Sequence, residues 1–134
     1  MINMSYKIII FLSMIFFHIT DDYYLQGKFT DMKQKEWWKK QTDCKLYRHD
    51  FIMALIEHAF SWTFVMMLPI LIPIVYLKLD LVNQYIMIFA CNWFVHTIVD
   101  DAKANLHLLN LVQDQLAHLG QIFFTWTFLV LLGM

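Results

Sequence analysis

The chain has 134 residues, 60% of them hydrophobic and only 16% charged, with three Gly, two Pro, two Cys and a formal net charge of −1. A soluble domain of this length carries about 45–50% apolar and about 25% charged residues. The composition therefore excludes a disordered chain, a disulfide scaffold, a collagen and a basic nucleic-acid binder, and so few Gly and Pro point to long helices in one domain.

A spanning helix needs about 20 largely apolar residues. The first candidate covers residues 4–25: Ile8 to Phe17 is strongly apolar, with Lys7 before it and Asp21 and Asp22 after it. It spans if Lys7 snorkels to one interface. A charged residue ahead of an apolar run also outlines a signal peptide. This run, however, exits through His18-Ile-Thr-Asp-Asp22 with no small-x-small cleavage site.

Residues 28–48 hold seven of the ten Lys and Arg, namely Lys28, Lys33, Lys35, Lys39, Lys40, Lys45 and Arg48. Trp37 and Trp38 among these lysines suggest a short interfacial helix, with a solvated basic loop as the alternative. The second span covers 51–77 and contains Pro69 and Pro73, which are expected to kink it. The third covers 83–104 and the fourth 110–133. Core helices of a soluble bundle would show amphipathic stripes, whereas Phe64 to Leu77 is apolar all round.

The expected fold is thus all-α: a polytopic membrane protein with four transmembrane helices in an antiparallel bundle, and a short interfacial helix after the first. The positive-inside rule places the 28–48 loop in the cytoplasm and both termini on the far side. Cys44 then falls in the loop and Cys91 within the membrane, so no disulfide is expected. The lipid bilayer is the expected partner. Anionic headgroups are expected at the basic loop, and no nucleic acid is.

Polar residues interrupt this pattern at particular places. His18, Asp22, His58, His96, Asp100, Lys103, Asp114 and His118 lie within or beside the spans. Asp or Lys at bilayer depth costs about 2.5–3.5 kcal/mol on insertion scales, so such residues must satisfy one another or a bound species. His18/Asp22, His96/Asp100 and Asp114/His118 are each four apart, which puts each pair on one helical face. Gln26 extends the first stripe, and Lys103 the third.

In the expected topology all these residues meet near the cytoplasmic boundary, leaving the outer half of the bundle apolar. Neutral imidazole and carboxylate suit Zn, Mn or Fe, and a divalent ion would offset the buried acidic charge. The expected metal ligands are His18, Asp22, His58, His96, Asp100, Asp114 and His118, supported by Gln26, Lys103 and Gln115. A metal-free network of His–Asp hydrogen bonds is the alternative.

The runs His18-Ile-Thr-Asp-Asp22-Tyr-Tyr-Leu-Gln26, His96-Thr-Ile-Val-Asp100-Asp-Ala-Lys103 and Asp114-Gln-Leu-Ala-His118 resemble domain-of-unknown-function family 3307. This is a group of small phage and bacterial membrane proteins. The resemblance implies a Lys in the loop after the first helix, here Lys33 or Lys35, and a His opening the second helix, here His58. Tyr24 stands where a Pro is common in that family.

Three functions are open at this level. One is a non-enzymatic scaffold or membrane-modifying protein built round a metal cluster. Another is a membrane-embedded metal-dependent hydrolase acting on a lipid or other amphiphile, with Lys103 holding a phosphate. A transporter is the third.

Overall fold

The structure is a computed structural model that describes residues 2–134. Among them every regular element is helical. Asn3 caps α1 (Met4–Thr20) by accepting a hydrogen bond from the Ser5 amide, and a π turn, Asp21–Leu25, continues the helix. Gly27 then adopts φ +51°, a left-handed conformation that lets the chain leave the helix without Cβ strain.

Two short helices follow in the basic segment, α2 (Phe29–Met32) and α3 (Lys35–Gln41). The tryptophan pair lies on α3, so a short helix does form where Trp37 and Trp38 suggested one. α4 (Asp50–Tyr76) runs for 27 residues and continues through both prolines. α5 (Val82–Ala104) and α6 (Leu111–Trp126) complete the set, with a second π turn at Thr127–Leu131. A capping box starts α6, in which Asn110 and Gln113 each accept from the other's backbone amide.

The four long helices pack as a ring in chain order, α1 on α4, α4 on α5, α5 on α6 and α6 on α1. One half of the interior is apolar and holds Met14, Met66, Met67, Ile70, Ile74, Ile122, Leu129 and Val130. At that end the Ile2 amide donates to the Met134 carbonyl at 3.1 Å. Lys7 does not reach outward there. It is buried, and its Nζ donates at 3.0 Å to the Leu131 carbonyl, a helix-end acceptor that would otherwise lack a partner.

Two runs, Met4–Leu25 and Lys45–Tyr76, are long and apolar enough to cross a membrane. α5 and α6 do not meet that standard. Asn92, His96 and Asp100 lower the hydropathy of one, and Gln113, Asp114, Gln115, His118 and Gln121 that of the other.

Candidate metal centre

The other half of the interior is polar. His18, His58, His96, Asp100, Asp114 and His118 are all buried, although they come from four helices, and Asp22 is only 12% exposed. The i,i+4 pairs turn out to be the looser contacts: His18–Asp22 is 4.0 Å, His96–Asp100 3.6 Å and Asp114–His118 3.4 Å. Closer approaches run between helices and converge on Asp100. Its carboxylate lies 2.8 Å from His58 Nε2 and 3.3 Å from His118 Nε2, and Lys33 Nζ approaches it to 2.5 Å. Lys33 also sits 2.9 Å from His58 Nε2.

Of Lys33 and Lys35, Lys33 is the one that reaches the cluster, and its position is set from α5. Asn105 accepts from the Lys35 amide at 2.8 Å and donates to the Lys33 carbonyl at 3.1 Å, clamping the chain on both sides of that residue. Lys35 instead lies over the Phe51 ring, 4.8 Å from its centre. Lys103 pairs with Asp114 at 2.5 Å. Gln115 donates to Asp22 and Asp114, each at 3.2 Å, so it braces the carboxylates as a supporting group.

His18 stands apart from the other histidines. Its Nδ1 accepts from Trp62 Nε1 at 2.7 Å, and its Nε2 lies 3.2 Å from Gln115 Oε1. Both ring nitrogens therefore have protein partners, and the acceptor character of Gln115 Oε1 makes Nε2 the protonated one. Trp62 itself forms the floor of the cluster. Its ring stacks on His96 at 4.1 Å and belongs to the apolar core.

The π turn changes the first stripe. A four-residue step from Asp22 to Gln26 is expected on a regular helix, but the wider turn makes a five-residue step from Asp21. Gln26 Nε2 donates to Asp21 and, at 3.3 Å, to the His58 carbonyl. Asp21 is fully buried and also accepts from Ser61 at 3.0 Å. It is a fourth carboxylate at the cluster, one that helical spacing hid.

A second chain of polar groups supports His118. Gln121 Nε2 donates to two acceptors on Asn92, its carbonyl at 3.1 Å and its Oδ1 at 3.3 Å. Asn92 Nδ2 in turn donates to Thr125 Oγ1 at 2.7 Å. With its amide protons so committed, Gln121 turns its oxygen to His118 Nδ1 at 3.3 Å. That nitrogen must carry a proton, which leaves Nε2 to face Asp100 and Asp114. The polar region therefore extends deeper than expected. The spacings Asn92–His96 and Gln121–Thr125, both of four residues, were its signal in the sequence.

Three observations fit a cation. Asp21, Asp22, Asp100 and Asp114 face only Lys33 and Lys103, so with neutral histidines the cluster holds two net negative charges. Gln26 Oε1, His58 Nδ1, both nitrogens of His96, Asp114 Oδ1 and His118 Nε2 are buried without a hydrogen-bond partner. Leaving such an atom unsatisfied costs about 1–3 kcal/mol. Finally, ligands held tetrahedrally about 2.1 Å from an ion stand roughly 3.4 Å apart. The His118–Asp100 and His96–Asp100 separations of 3.3 and 3.6 Å lie close to that edge, whereas His58–Asp100, at 2.8 Å, is shorter.

Two triads, Asp22–His58–His96 and His96–Asp100–His118, bring potential ligand atoms within 4.8 Å of one another, so these buried groups could hold a metal ion. Asp114 joins them through His118, whereas His18 belongs to neither. No protein-family model matches the chain, and neither the curated proteins nor the solved structures provide a match. The resemblance to family 3307 rests on the motif residues alone.

Proposed function

We propose that this chain is a four-span integral membrane protein of phage or bacterial type. In this reading one divalent cation at His58, His96, Asp100 and His118 ties α4, α5 and α6 together near their cytoplasmic ends. The observation that carries this reading is the buried, unpartnered His96, whose two free nitrogens sit among carboxylates and imidazoles from three other helices. Three imidazoles and a carboxylate suit Zn, Mn or Fe.

Membrane placement draws its support from the helix faces. α6 buries Asp114, His118 and Thr125 while exposing Val112, Leu116, Phe123 and Phe124. α5 buries Asn92, His96 and Asp100 and exposes Ile86, Met87, Phe94 and Ile98. Water selects the opposite arrangement, whereas hydrocarbon selects this one. The basic loop then faces the cytoplasm of a bacterial inner membrane, with both termini beyond the far leaflet.

A scaffold fits the site better than a hydrolase or a transporter. The side chains of His58, His96, Asp100 and His118 are at most 3% exposed. A catalytic metal keeps an open position, but a structural one is closed. The polar chain ends at Thr125, and Ile70, Ile74, Leu129 and Val130 close the bundle beyond it, which disfavours transport.

Elemental analysis of detergent-purified protein tests the proposal. About one divalent metal per chain is expected, and His96→Gln should lose it while keeping its helicity by circular dichroism. A folded wild-type chain with no stoichiometric metal, even after incubation with zinc, manganese or iron(II), refutes it.

A further inference from the structure

We infer that the cleft between α3 and the start of α4 binds the phosphate of an anionic membrane lipid. This rests on the membrane reading above but is independent of the metal. The cleft measures about 670 Å³ and lies outside the His/Asp cluster. That volume falls within the range of small-molecule sites, roughly 300–1,000 Å³.

Its cations come from three successive elements: Lys35 and Lys39 on α3, Lys45 on the short turn after it, and Arg48 just before α4. Lys39 is paired with Glu36 at 2.6 Å, and Lys35 is held over Phe51. Lys45 and Arg48 have no carboxylate within ion-pair distance among the described residues, although Asp43 also lines the cleft. Arg48 is the only arginine in the chain. Its planar guanidinium matches the oxygens of a phosphate in a two-point contact that lysine cannot make.

The cleft is also braced. The rings of Trp38 and Tyr47 lie nearly parallel, 9° apart with centres separated by 6.4 Å. Trp38 Nε1 is fixed to the Met32 carbonyl at 2.7 Å. Location then selects lipid among phosphate-bearing ligands. Arg48 and His49 lead directly into α4, where Ile52, Phe60 and Phe64, at steps of eight and four residues, are exposed apolar side chains. A headgroup in the cleft places its acyl chains against them.

The test is titration of the detergent-purified full chain with phosphatidylglycerol and phosphatidylcholine of identical acyl chains, read as lipid retained in native mass spectrometry. One phosphatidylglycerol should be retained about tenfold more strongly than phosphatidylcholine. Lys45→Gln/Arg48→Gln should bring the two lipids to parity, and Lys78→Gln, at the other end of α4, should change nothing. Inorganic phosphate in millimolar excess should not displace the lipid. Equal retention by the wild type, or a preference that survives in the double variant, overturns the inference. Displacement by free phosphate overturns the lipid as the source of that phosphate. A chain that stays soluble and monodisperse without detergent refutes the membrane reading itself.

Discussion

Gln121 gives both amide protons to Asn92, and this commitment decides which nitrogen of His118 is free. Replacing it with Leu should leave the fold intact and weaken metal binding by about 10–100-fold, the usual effect of losing a group that orients a ligand. Competition against a chelating dye measures this, and unchanged affinity would mean that the tautomer is set by something else. Trp62→Phe separates bracing from ligation at His18. The variant keeps a ring against His96 but removes the donor to His18 Nδ1, a loss worth about 1–3 kcal/mol. The melting temperature should fall with metal content unchanged; loss of metal would restore His18 to the ligand set. His18, Asp22, His96, Asp100, Asp114 and His118 were legible from their four-residue spacing, and His58 from its place in an apolar run. Asp100 as the hub was not, because its closest partners lie on other helices. Asp21 was hidden by the π turn, which breaks the four-residue count on which such a reading depends.

Two lysines, Lys33 and Lys35, were equivalent in the sequence, and Asn105 distinguishes them from some 70 positions away by gripping the backbone between them. A contact of that kind leaves no local pattern. Lys33 occupies the same Asp100 oxygen and His58 nitrogen that a metal would use, so a bound ion must displace its ammonium. Lys33→Met should therefore raise divalent-metal affinity by about tenfold, since it removes a competing charge from an anionic site. Dye competition in detergent checks this as well. Weaker binding in the variant would mean that Lys33 acts with the ion instead of against it. The long helices, by contrast, follow directly from uninterrupted apolar runs, and their caps at Asn3 and Asn110 have ordinary local signatures.

Across the whole molecule, apolar side chains face outward and the polar cluster faces inward at one end of the ring. α4 is about 40 Å long at 1.5 Å per residue, against a hydrocarbon core of about 30 Å. Roughly its first two turns, through the exposed Glu57, can therefore stand among headgroups, with His58 at the boundary. Both cysteines are free and exposed, which makes topology measurable. A membrane-impermeant maleimide should modify Cys44 only when applied from the cytoplasmic side, and should not reach Cys91 from either side. Modification of Cys44 from outside would invert the orientation. The most direct measurement is X-ray absorption at the edge of the metal bound to the purified chain. Nitrogen and oxygen ligands are expected at about 2.0–2.2 Å, with imidazole scattering from three rings that drops in His96→Gln. A thiolate shell, or an ion surrounded only by water oxygens, would contradict this expectation.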